Sequence, residues 1–89
     1  MALRFELARA AEKALDRMDR QTEERIRLRL RELADDPSDP RLSKRLEGTE
    51  GLRSSRVGDW RVLFTVREPG AVLYGVGVRP RGRAYRRSN

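Results

Sequence analysis

Apolar residues recur along the chain at two distinct spacings. Trp60, Val62, Phe64 and Val66 alternate with Arg61, Leu63, Thr65 and Arg67. A period of two in β-branched and aromatic residues predicts a strand whose apolar side faces a core. The opposite side carries arginine, so the predicted sheet has one apolar and one cationic face. Trp60 shares the apolar side and reads as a core residue rather than a stacking platform. Gly58-Asp59, just ahead of it, is a turn sequence in which Asp59 is a turn residue rather than a base. That turn joins the central strand to a weaker one over residues 52–57.

Leu3, Phe5 and Leu7 also alternate, which predicts a short strand over residues 2–7. From Ala8 the spacing widens to three and four, through Ala11, Ala14, Leu15 and Met18, and predicts a helix over 8–18. Asp19 is an N-cap residue for a second helix over about 20–34. Its apolar stripe is Thr22, Ile26, Leu30, Leu33 and Ala34. Glu23, Glu24, Arg25, Arg27, Arg29, Arg31 and Glu32 cover the remaining surface as a solvated face, with opposite charges three and four residues apart. The two helices read as an antiparallel hairpin.

Residues 35–40 contain two prolines and four cap-type residues, a loop. Residues 41–46 form a short basic segment anchored by Leu42 and Leu46. Glu68-Pro69-Gly70 predicts a second hairpin turn, followed by a strand over 71–79. Strict alternation puts Val72, Tyr74, Val76 and Val78 on one side of it, and Leu73, Gly75, Gly77 and Arg79 on the other. The two glycines beside Arg79 either relieve twist or form a shallow floor rimmed by Arg61 and Arg79. Strand, helix pair and three further strands predict a single α+β domain over residues 1–89.

Charge sharpens this picture. The net charge is +7. Residues 1–47 hold 12 Lys and Arg against 11 Asp and Glu, whereas residues 48–89 hold 9 against 3. The excess therefore falls on the sheet half and points to nucleic acid or an acidic protein segment. Cysteine and histidine are both absent, which removes disulfides, thiolate metal sites and the commonest general base. Residues 48–89 offer only Glu50, Asp59 and Glu68 as carboxylates, with no ligand-like spacing, so neither a metal nor another cofactor is expected. No stretch has the length of a membrane span, and a cytoplasmic protein is expected.

The residues Leu46-Glu47-Gly48, Gly51-Leu52, Arg56-Val57-Gly58-Asp59-Trp60-Arg61-Val62-Leu63-Phe64 and Val76-Gly77-Val78-Arg79, with Tyr85 beyond them, resemble the RelE/ParE superfamily of type II toxin–antitoxin toxins. The resemblance covers nearly the whole chain. It implies an N-terminal strand and α-hairpin packed on one face of a small, mainly antiparallel sheet. The RelE branch, which the resemblance favours, implies a ribosome-dependent mRNA endonuclease restrained by a RelB-like antitoxin. Its partners would be antitoxin, ribosome and mRNA, with no membrane and no small-molecule cofactor. Carried over by position, Arg61, Arg79, Tyr85 and Arg56 would be catalytic. Arg81, Arg83, Ser54, Arg53 and Lys44 would contact RNA. The ParE branch implies a gyrase inhibitor on the same scaffold, and a non-catalytic member binding RNA or antitoxin is a further alternative.

Three positions depart from the family pattern. Ser54 stands where a basic residue is usual, and Arg53 and Ser55 replace its apolar neighbours. Either that strand is an exposed edge or its register is displaced by one. Chemically, arginine can clamp a phosphate through paired donors but cannot act as a base at its pKa above about 12. Tyr85 is the titratable group among Arg81, Arg83, Arg86 and Arg87. Those charges would favour its phenolate, and its ring could instead stack on a splayed base.

Overall fold

The computed structural model describes residues 3–49, 51–67 and 72–80. Within them lie β1 (Arg4–Leu7), α1 (Arg9–Asp16), α2 (Arg20–Asp35), β2 (Lys44–Arg45), β3 (Arg53–Val57), β4 (Trp60–Arg67) and β5 (Val72–Pro80). The strands form one sheet in the order β1-β5-β4-β3-β2. Neighbours are antiparallel except β1, which enters parallel to β5 with Leu7 opposite Gly75. The α+β expectation therefore holds, with the first strand inside the sheet as its edge. The predicted turn at Glu68-Pro69-Gly70 lies outside the described residues.

α2 starts where its cap predicts. The Thr22 backbone N–H donates to Asp19 Oδ2 at 3.1 Å, and the Thr22 hydroxyl donates to Asp19 Oδ1 at 2.7 Å. The first of these bonds satisfies a backbone donor that the first helical turn leaves without an intrahelical partner. Ile26, Leu30, Leu33 and Ala34 are buried along one stripe, and α1 adds Ala11 and Leu15. They close on Val57, Val62, Phe64, Leu73 and Val78 from the sheet, with Trp60 packed at the margin. The sheet thus has one face under helices and one open face that, among the described residues, no helix covers.

Three local features differ from strict alternation. First, β5 carries a bulge: Leu63 pairs with Gly77 but Phe64 pairs with Gly75, so Val76 is the extra residue. The bulge inverts the facing of everything before it. Leu73, not Val72 or Tyr74, joins Val78 in the core cluster. Tyr74 turns to the open face, where the Arg67 guanidinium lies 3.9 Å from its ring centroid. Second, Gly75 lies on the core side, and a Cβ there would fall 2.7 Å from Leu7 Cδ2. Its role is close approach of β1, while Gly77 remains on the open floor. Third, β3 is not an edge. The two-residue β2 covers it, with Lys44 opposite Ser54 and Arg45 opposite Arg53.

The register of β3 is not displaced either, since Arg56 pairs with Arg61 and Val57 with Trp60. Ser55 occupies the core side at 1% exposure. Its hydroxyl accepts from Arg29 Nη1 of α2 at 2.8 Å, which satisfies a polar group placed among apolar neighbours. The turn between β3 and β4 is Gly58-Asp59, with Gly58 at φ 58°, the left-handed region that suits glycine. Arg25 of α2 lies over this turn, its guanidinium nitrogen 3.6 Å from where a Gly58 Cβ would be. Arg25 and Arg29, read from sequence as solvated, both reach the β3–β4 hairpin.

Candidate functional site

Pairing across the sheet places three arginines in one line. Arg56 of β3 is directly opposite Arg61 of β4, which is directly opposite Arg79 of β5. All three belong to the open face, the side opposite Val57, Val62 and Val78. Directly paired residues on one face have Cβ atoms about 4.5–5.5 Å apart, and like charges so placed repel. Such a row detracts from stability, and it offers paired N–H donors to an anion bearing several oxygens.

The next row toward the middle of the strands is Lys44, Ser54, Leu63 and Gly77. Small side chains at Ser54 and Gly77 leave it low. The turn at 40–43 rises beside β3 as a wall, enclosing a groove of about 320 Å³ whose cationic residues are Arg41, Lys44, Arg56 and Arg61. Among the described residues, no carboxylate lines it. Asp39 stands behind Arg41 and accepts from its Nη2 at 2.8 Å and its Nε at 3.2 Å. The Arg41 guanidinium, followed by its backbone N–H, holds the Asp39 carboxyl below its ordinary pKa.

The sequence-predicted residues thus divide. Arg56, Arg61 and Arg79 converge, and Ser54 and Lys44 lie beside them. Arg53 does not join them: it belongs to the core-side row with Arg45 and Phe64. Its Nε donates to Ser43 Oγ at 3.0 Å, and the Ser43 hydroxyl donates to the Pro37 carbonyl at 2.7 Å. Arg53 thereby ties β3 to the loop that carries the groove wall. Tyr85, Arg81 and Arg83 lie outside the described residues.

Two contributors escaped the sequence reading. Arg41 sits in a segment where only the leucines had a periodic meaning. Arg29 borders the Ile26–Leu30–Leu33 stripe, and that boundary position was its one available signal. From α2 it donates at 2.8 Å to Ser55 Oγ and at 2.8 Å to the Arg56 carbonyl, and it pairs with Glu32 at 3.1 Å.

The fold has known counterparts. The archaeal RelE from a RelE–RelB complex of Pyrococcus horikoshii OT3 shares 28% identity at a TM-score of 0.78, over 93% of this chain and 99% of that one. A free-state Escherichia coli RelE mutant shares the fold at a TM-score of 0.81 and 17% identity, over 99% and 93% of the two chains. A YoeB/ParE toxin of Agrobacterium tumefaciens does so at 0.76 and 20%, over 88% and 98%. No curated protein matches the chain in sequence. Residues 5–85 match the model of the ParE toxin of type II toxin–antitoxin systems, parDE. With four-fifths or more of its length inside that match and the RelE-like sheet beneath it, the chain belongs to the ParE toxin family, within the RelE/ParE superfamily.

Proposed function

We propose that this toxin is a ribosome-dependent mRNA endonuclease of the RelE kind, acting without a metal and restrained by a cognate RelB-like antitoxin. The observation that carries the reading is the in-register row Arg56–Arg61–Arg79 on the open face. Three opposed cations are a poor choice for folding and a good one for a phosphate that gains charge.

In the reaction, the 2′-oxygen of the RNA attacks the adjacent phosphorus. A new O2′–P bond forms, the P–O5′ bond breaks, and the products are a 2′,3′-cyclic phosphate and a 5′-hydroxyl. One proton leaves the 2′-hydroxyl and one reaches the departing 5′-oxygen. Arg61 and Arg79 would hold the phosphorane oxygens, and Arg56 would add a third cation. Tyr85 would supply proton transfer or stack on a base. With no strong base in the set, much of the barrier must be lowered by positioning, which is what a ribosome-held message provides.

The match to a ParE model favours a second reading, inhibition of DNA gyrase by the same scaffold. Primer extension on a defined mRNA, with and without translating ribosomes, separates the two. Cuts that require ribosomes support the endonuclease. No cuts in either lane, together with blocked supercoiling by gyrase, would replace it with the ParE-like activity.

A further inference from the structure

β1 closes the sheet on the side away from β2, and among the described residues no strand lies beyond it. Its sequence, Leu3-Arg4-Phe5-Glu6-Leu7, has the same pattern from either end about Phe5, with two charges of opposite sign. We propose that this edge pairs with β1 of a second copy of the chain, antiparallel about a twofold axis at Phe5. The product is a reversible homodimer with one continuous sheet. The inference is independent of the reaction proposed above.

A twofold interface must be self-complementary, with each contact made twice. Pairing about Phe5 places Phe5 opposite Phe5, Arg4 opposite Glu6 and Leu3 opposite Leu7. Slipping the register by two residues would instead place Arg4 opposite Arg4 or Glu6 opposite Glu6, so charge selects one register. The facing agrees. Leu3, Phe5 and Leu7 are half-buried and pack against the core, so the dimer joins the two apolar layers while Arg4 and Glu6 stay on the open face. The backbone agrees as well. The Ala8 N–H donates to the Gly75 carbonyl at 2.8 Å. Alternation along the strand directs the N–H groups of Arg4 and Glu6 the same way, toward β5, and those of Phe5 and Leu7 outward. The two Phe5 residues would therefore exchange a pair of hydrogen bonds at the axis. The Leu3 N–H is taken by the Ala34 carbonyl at 2.8 Å, which bounds the ladder. Within one copy Arg4 and Glu6 meet only at 3.6 Å, with side chains 71% and 52% exposed, a surface pair of little worth that can re-form across the axis. Charges on a sheet edge ordinarily discourage pairing; their opposite signs and palindromic placement remove that protection against a second copy. An interface this short gives an exchanging dimer, not an obligate one.

Sedimentation velocity of the purified protein over a concentration series tests this. The wild type should pass from monomer to dimer as its concentration rises. Arg4→Glu and Glu6→Arg, made singly, each set like charges opposite one another and should raise the dissociation constant by about tenfold or more. An equimolar mixture of the two variants restores the opposite-charge pairs and should associate as the wild type does, as should the chain carrying both substitutions. A contact confined to one chain could not be repaired by another, so the mixture separates pairing between copies from a structural role. Both side chains are exposed, and an unchanged melting temperature at high dilution shows that each variant is folded. A wild type that stays monomeric at every concentration would overturn the proposal and leave the edge to a strand of another protein. Single variants that dimerise as tightly as the wild type, or a mixture no tighter than either variant alone, would overturn it too.

Discussion

Arg29 donates to the carbonyl oxygen of Arg56 at 2.8 Å, from the face of the sheet opposite the Arg56 side chain. The same Nη1 reaches the buried Ser55 hydroxyl at 2.8 Å, and Glu32 balances the charge at 3.1 Å. A helix residue therefore fixes the backbone from which a row cation projects. Arg29→Ala should cost about 1–3 kcal/mol, since it leaves Ser55 without this donor in the core. Arg29→Lys should recover only part of it, because an ammonium lacks the fork. Urea unfolding reads this as a lowered midpoint at unchanged slope; equal midpoints for all three proteins would contradict it.

The row itself should behave differently. Arg79→Ala should abolish growth arrest on expression and cut ribosome-dependent cleavage by about 10²–10³-fold, the usual loss of one transition-state donor. The folded protein should lose nothing, or gain about 0.2–1 kcal/mol from relief of the cross-strand repulsion. Thermal melts at low and high salt check this. Added salt should narrow the gap between variant and wild type by screening the repulsion.

Close approach of β1 and β5 depends on Gly75. Gly75→Ala brings a methyl to 2.7 Å from Leu7 Cδ2, and should cost about 1–3 kcal/mol through overpacking. Leu7→Ala made in the same chain should remove much of the added cost. A double-mutant cycle measures the coupling, and strict additivity would show that the contact is not the cause.

Acid should weaken the fold below the ordinary carboxylate range. The Thr22 hydroxyl, then the Thr22 backbone N–H, depresses Asp19 below 3.8, and Arg41 does the same for Asp39. A depressed folded pKa contributes stability that is complete above the unfolded value and disappears as pH falls through the folded one. The contribution of these two groups should therefore be level from neutrality to about pH 5 and shrink below about pH 4. Asp19→Asn keeps the cap without the proton, so its acid limb should be shallower in melts at successive pH values.

Much of the molecule was legible because its signals are local. The Asp19 cap, the Ile26–Leu30–Leu33 stripe and the Gly58-Asp59 turn each follow from neighbours in sequence. The β3–β4 register follows from that turn, and with it the pairing of Arg56 with Arg61. What could not be read depends on distant partners. Val76 is one more strand residue until Gly75 and Gly77 pair around it, so the facing of Val72 and Tyr74 was misjudged. β2 has two residues, both basic, and is defined only by its pairing with Arg53 and Ser54 of β3. Ser55 looked like a flaw in a strand because the residue that completes it, Arg29, comes from α2.

The pairing of β1 with β5 bears on how the chain is made. Among the described strands, the first finds its neighbour only in the last. Synthesis from the N-terminus therefore delivers β1 long before the strand that holds it. Contacts between such distant segments come late and slow folding. A chain halted before residue 72 would lack β5, and with it Arg79, the β1 dock and the Leu73 and Val78 part of the core. The arginine row is thus completed only once β5 has been made, so a product truncated before it would be born without the toxin's full charge array.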